Sequence, residues 1–352
     1  MTIARPLCLL VLFFASSVQA APGFPLLILV PEMYPTLEQA VINAATGDFI
    51  SLASGEHIVR NDALIDKNRL TLLGRTGRAA DVRIRAGTGG DLSAMVRVVQ
   101  REGFLLRDVT LTGTRSLTTG LLVLDSTGAE IRNCLFTNHR SFASASVFIG
   151  SDARVEDCTF DSCLAVTNGG AMGLRVSSDP ARRHTVSGCR FLGNGSGFNG
   201  GSIAAFAPIE NASGEATSGI LEVTGCVFLE NGVGSGGLFN AGALGEGHGG
   251  AMYLASTVPT MALSAKIRHC TFTLCSASEG AAISLDRSLG LFDLLIERCH
   301  FSDNVADAST GGAVAAYVTA REDYTYGSES VLEVTGCVFE NNSAEVMGGA
   351  FS

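Results

Sequence analysis

Seven times between residues 131 and 339 the chain repeats one spacing: Val or Ile, two residues, Cys, one residue, Phe. The cysteines are Cys134, Cys158, Cys189, Cys226, Cys270, Cys299 and Cys337, each followed at the second place by Phe136, Phe160, Phe191, Phe228, Phe272, Phe301 or Phe339. The stretches Leu221–Phe228 and Leu332–Phe339 are identical, both reading LEVTGCVF. A unit recurring at 24 to 44 residues describes a stacked array, in which no unit buries its apolar face alone.

The spacing dictates local geometry. Cys and Phe two apart share a strand face, whereas Val or Ile three before Cys is out of phase, so the chain turns between them. Pairs such as TG, SG, RN and RH at that place suit a corner. Three residues after Phe stand Asn194, Asn231, Asn304 and Asn342, with Cys163 and Cys275 in two units and His139 in the first. A small triplet follows at Gly169–Ala171, Gly200–Ser202, Gly280–Ala282, Gly311–Ala313 and Gly348–Ala350, and at Gly249–Ala251 after an insertion. Beyond it a second alternation runs through Met172/Leu174, Ile203/Ala205, Met252/Leu254, Ile283/Leu285 and Val314/Ala316.

Three short strands per unit, separated by corners, predict an all-β parallel β-helix, a solenoid of one chain in which each coil pairs with the next. Stacked Asn would form an amide ladder, and stacked Phe and Cys would fill the core. Seven coils and roughly four upstream, rising about 4.8 Å each, give a rod about 50 Å long. Lateral disulfides between coils are the competing reading of the cysteines; C-x₄-C at Cys158–Cys163 and Cys270–Cys275 lacks the close spacing of a metal site.

Residues 1–20, MTIARPLCLLVLFFASSVQA, have the basic start, short apolar stretch and small-residue end of a secretory signal peptide. An uncleaved anchor running on into FPLLILV is the alternative, interrupted by Pro22, Gly23 and Pro25. The expectation is a secreted or cell-surface protein, residues 21–352 forming one β-helix domain without an integral membrane segment, with nine cysteines left in the mature chain. Residues 34–47 predict a helix that caps the first coil: Thr36 and Gln39 have capping-box spacing, Leu37, Ala40, Val41 and Ala44 share a face, and Gly47 stops it. Strand candidates follow at Phe49–Leu52, Leu70–Leu73, Val82–Arg85, Met95–Val99, Phe104–Leu111 and Leu121–Leu124. The sequence given ends on GGAFS, one strand into a coil, and that open coil is expected to contact further chain or another subunit.

FLENG, FSDNVADASTGGAV and FENNSAEVMGGAF carry F-x-x-N followed by G-G-A, as in residues 129–352 generally. This resembles the repeats of chlamydial polymorphic outer-membrane proteins. The opening YPTLEQAVINAATGDFISLASGEH resembles the start of pectin-lyase-like proteins. Both resemblances imply a right-handed parallel β-helix; the first implies adhesion and the second polysaccharide lyase or glycoside hydrolase activity. A series of strands able to form a terminal membrane barrel is missing from the sequence.

The formal charge of −10 includes no run of Lys and Arg, so no nucleic-acid partner is expected. Outward strand positions after the triplets are mostly Gly, Ala, Thr and Ser, and neighbouring units share no acidic residue there, so no catalytic residue is assigned. His248, His300, Glu230 and Asp303 read as surface or corner groups. No cofactor or metal is expected, Ca²⁺ entering only with a lyase activity. The Gly-rich stretch at 232–250 lacks the GK[ST] of a phosphate loop. Connections at 175–185, 207–219, 255–265 and 317–330 vary freely and would leave the rod on one side, where glycan, matrix or a surface protein would bind. Arg321, Tyr324 and Tyr326 are the candidate contact cluster. Sequons at Asn194, Asn211 and Asn341 would accept N-glycans, with Asn194 disfavoured by its inward position.

Overall fold

In a computed structural model, the structure describes residues 24–88, 92–113, 118–142, 144, 146–150, 152–176, 179, 182–207, 218–234, 247–256, 262–286, 291–307, 310–317 and 331–352. These form four parallel sheets, which we number in the order the chain visits them around a coil. Sheet I has eleven strands, sheet II ten, sheet III seven and sheet IV nine. The coil built on Cys226 shows the plan: Ser218–Thr224 in sheet I, Val227–Leu229 in II, Gly232–Val233 in III and Met252–Ala255 in IV.

Sheet III was not expected. Its strands, such as Gly195–Ser196 and Gly232–Val233, have two residues each, too few to display a strand period in sequence. The predicted strand Phe104–Leu111 is two strands, Leu105–Arg107 and Thr110–Thr112, parted at Asp108 with φ of 59°. This coil carries the repeat in disguise: Leu106 pairs with Ile131 and Leu111 with Phe136, leaving Val109 where later coils place Cys.

Two corners are made by single residues in the left-handed region. One column, before each core cysteine, runs Asn133, Asp157, Gly188, Gly225, His269, Arg298 and Gly336; the other, two after each phenylalanine, runs Asn138, Ser162, Gly193, Glu230, Leu274, Asp303 and Asn341. Every one has a φ near +55°. Asn, Asp and Gly take this conformation readily, whereas His269, Arg298 and Leu274 do so at a cost of about 1 kcal/mol each.

Identical columns build the core. Phe136, Phe160, Phe191, Phe228, Phe272, Phe301 and Phe339 stack with centroids 4.6–4.9 Å apart and planes within 5°. The strand spacing sets the repeat of this parallel-stacked column. Helix α1, Leu37–Asn43, is shorter than the predicted 34–47 because Ala44 is already extended. The Asp48 carboxylate takes the following turn, accepting from the N–H groups of Ala45 at 2.7 Å and Leu26 at 2.8 Å. Thr36 caps α1, and buried Leu37, Ala40 and Val41 lay the helix on the first strands of sheets I, II and IV.

Candidate functional site

The most regular residues of the repeat are occupied by the fold. Each thiol of the Cys-x-Phe column donates to the carbonyl of the Val or Ile one coil below, as Cys226 does to Val186 at 3.6 Å, except that Cys134 donates to Leu106 at 3.8 Å. None of the nine cysteines 134–337 is in a disulfide, and all but Cys337 are buried. Burial pushes the Cys163 thiol up to about 11 and Cys275 up to about 12. These thiols are therefore poor nucleophiles. The position three after Phe has one task in every coil. It donates to the carbonyl of the aromatic column below: Asn194 to Phe160 at 3.0 Å, Asn231 to Phe191 at 2.9 Å and Cys163 to Phe136 at 3.6 Å. His139 and Cys275 do the same to Leu111 and Phe228. Asn194–Asn231 and Asn304–Asn342 add side-chain bonds of 3.0 and 2.8 Å.

Polar chemistry outside the core repeat gathers in two places, one at the entry to sheet IV and along it, the other on sheet I. Residues preceding the glycine triplets stack as a polar column of Asn168, Asn199, His248 and Glu279. Glu279 is only 3% exposed; its carboxylate accepts from His248 Nδ1 at 3.0 Å and from the Thr310 hydroxyl at 3.1 Å. Such a bond fixes the ring, and in the neutral imidazole it leaves Nε2 as the acceptor. Five residues after His248, in the sheet IV strand Met252–Ala255, the Tyr253 hydroxyl donates to Asp286 Oδ2 at 2.6 Å. Burial, and then Asp286, push the Tyr253 phenol well above its ordinary range. Phe206 meets the Tyr253 ring edge-on at 6.0 Å, and His248 lies 6.3 Å from it.

The second place is the outer face of sheet I, where strand register sets charges opposite one another. Glu130 pairs with Arg154, Arg132 with Glu156, Glu222 with Lys266, and Arg268 with Glu297. Ion pairs join Arg132 to Glu156 at 3.3 Å, Arg154 to Glu156 at 3.5 Å, Arg183 to Glu222 at 3.5 Å and Arg268 to Glu297 at 3.1 Å. The ladder of charges is interrupted at the Cys189 coil, where Thr185 and Ser187 take the outward positions. A groove of about 210 Å³ opens there.

The family model of the right-handed β-helix region matches residues 94–273, half of the chain. The chain belongs to this β-helix family. No curated protein sequence matches it. Among solved structures, pectate lyase Pel9A is similar with a TM-score of 0.50 and 11% identity, over 89% of this chain and 72% of that one. The catalytic domain of a GH87 α-1,3-glucanase in complex with nigerose aligns with a TM-score of 0.42 and 11% identity, over 95% and 68%. At this identity, the first likeness shows a shared fold and the second carries no argument.

Within this β-helix the sequence-derived candidates fall unevenly. Arg321, Tyr324, Tyr326 and Asn211 lie outside the described residues. Asn341 is an exposed corner residue, while Asn194 is 1% exposed and fully bonded. His248 and His300 are not lone groups: His300 Nε2 lies 3.2 Å from Glu340, one coil away. The sequence reading overlooked Glu279, Tyr253 and Asp286. Aligning the residue before each triplet across the insertion would have put His248 beside Glu279. Among the described residues no three His, Cys, Asp or Glu side chains converge as metal ligands, and no helix is long and apolar enough to cross a membrane.

Proposed function

We propose that this β-helix is a secreted or cell-surface scaffold that binds glycan, or a glycan-bearing surface protein, along sheets IV and I. The observation that carries the reading is the Tyr253–Asp286 bond at 2.6 Å with Phe206 against the tyrosine ring. Tyr253 is itself only 5% exposed and serves to orient the carboxylate; the half-buried Phe206 ring beside half-buried Asp286 matches a sugar, which offers C–H faces to a ring and hydroxyl donors to an acceptor. The leader-like residues 1–20 support export, and the F-x-x-N and G-G-A resemblance supports an adhesive role. Asn211 and Asn341 are the proposed glycan acceptors in a glycosylating host, and Arg321, Tyr324 and Tyr326 the proposed additional contacts.

A second reading, a carbohydrate-active enzyme, rests on His248 and Glu279. A histidine oriented by a buried carboxylate has the arrangement of a general base. A glycan array probed with the wild type and with Asp286→Asn separates the two. Saturable binding without turnover, weakened in the variant, supports the scaffold. Release of reducing ends, or of unsaturated product with or without Ca²⁺, moves the assignment to an enzyme. No retention of any glycan sinks the glycan-binding reading.

A further inference from the structure

We propose that the groove on the outer face of sheet I is a subsite for a neutral hexopyranose, separate from the Tyr253 cluster on sheet IV. The inference rests on the glycan-binding reading and names a place and a ligand class for it. Its floor is hydroxyl-bearing: Thr185 and Ser187 from the Cys189 coil and Thr224 from the next. Arg154 and Glu156 form one lip and Glu222 the other.

Register makes this gap specific to one coil. The two outward columns read Glu130, Arg154, Thr185, Glu222, Lys266 and Arg132, Glu156, Ser187, Thr224, Arg268. At these two positions the coil contributes only the short hydroxyls of Thr185 and Ser187, its one charged outward group, Arg183, lying at the strand's start beyond the groove lining; the missing side-chain volume is the groove. Glu156 and Glu222 approach from strands two positions apart, about 10 Å at the usual strand spacing, a separation that brackets one sugar ring.

The charges at the rim are already balanced. Glu156 is shared by Arg132 and Arg154, and Glu222 is held by Arg183. A ligand with a net charge would have to break one of these pairs, whereas a polyol can add hydrogen bonds to groups that stay paired. Carboxylates accept from sugar hydroxyls, Arg154 donates to a sugar oxygen, and the Thr and Ser hydroxyls serve either way. The flat polar floor, without an aromatic ring, distinguishes this site from the sheet IV cluster.

Titration calorimetry and saturation-transfer NMR with glucose, galactose and mannose, and with galacturonate as the charged control, test the inference on the full mature chain. The expected result is saturable binding of at least one neutral hexose, weakened about tenfold or more by Glu222→Gln and by Glu156→Gln. Ser187→Phe, which fills the groove, should abolish it, while Glu340→Gln, on sheet II and outside both proposed sites, should leave it unchanged. Thermal melts confirm that each variant folds. Galacturonate binding more tightly than the hexoses overturns the neutral-ligand assignment. Glycan-array binding that survives the Glu222, Glu156 and Ser187 changes but is lost in Asp286→Asn overturns this subsite and leaves the proposed function standing. Failure of the wild type to bind any glycan overturns both.

Discussion

His139 Nε2 donates to the Leu111 carbonyl at 3.0 Å, doing with an imidazole what Asn194 does with an amide three residues beyond its own phenylalanine. The same column accepts Asn, Cys and His because its task is to satisfy one carbonyl at a bend where strand pairing lapses. The amide does most, since its oxygen also accepts an N–H: Cys163 N–H reaches Asn194 Oδ1 at 3.0 Å.

Acid should therefore loosen the rod. Burial holds the pKa of His139 down to about 4, and that of buried His184 likewise to about 4. In the unfolded chain histidine titrates near ~6.5, so between these values the unfolded state binds protons that the folded state does not. Stability is flat above about pH 6.5 and falls as pH drops toward 4, by about 3 kcal/mol for each histidine. Urea midpoints from pH 7.5 to 4.5 should show the decline, and His139→Asn should remove about half of the histidine-linked part. Equal slopes for variant and wild type would falsify the assignment.

Asn231 donates to Phe191 and accepts from both the backbone and side-chain nitrogens of Asn194. Asn231→Leu leaves these buried partners unmatched and should cost about 3 kcal/mol in a chemical denaturation. Asn231→Cys retains a donor for Phe191, as Cys163 and Cys275 do in their coils, and should cost roughly half as much. If the two variants are equally destabilised, the thiol is not a substitute for the amide.

Most of the core was legible in the sequence because a stacked fold repeats its inward residues, and Cys-x-Phe and the glycine triplets are such repeats. The disguised coil at Leu106–Leu111 was misread as one strand because Val109 and Leu111 replace Cys and Phe without changing the geometry. Sheet III escaped because two residues cannot show a period. Binding residues do not repeat, so His248, Tyr253, Glu279 and Asp286 acquired meaning only once register brought neighbouring coils together. The insertion at 235–246 hid the alignment of His248 with Glu279.

Phe228 lies between Phe191 at 4.7 Å and Phe272 at 4.6 Å. Phe228→Ala opens a void between rings that are pinned by their own strands, and should cost about 4 kcal/mol. Phe228→Leu should cost about 1–2 kcal/mol, since Leu111 already fills this column beneath Phe136. Equilibrium unfolding measures both, and near-equal losses would show that the column collapses around small residues.

Thiol labelling should discriminate sharply by position. Eight of the cysteines from 134 to 337 are buried and Cys337 is half-buried. In the native protein a maleimide should modify Cys337 alone within minutes, and denaturant should expose all nine; peptide mapping reads the sites. Rapid native labelling of Cys226 or Cys270 would contradict the packing described.

Inside the rod one coil is nearly interchangeable with another, and LEVTGCVF at Leu221–Phe228 and Leu332–Phe339 is the limiting case. A stack made only of such coils could assemble out of order. The outer face of sheet I supplies an address for coils that differ there: Arg132 meets Glu156, and a skipped coil would set it against Ser187, whereas the two LEVTGCVF stretches carry the same Glu and Thr and depend on their neighbours. Each surface pair contributes little to stability, but together they tell the growing rod which coil comes next.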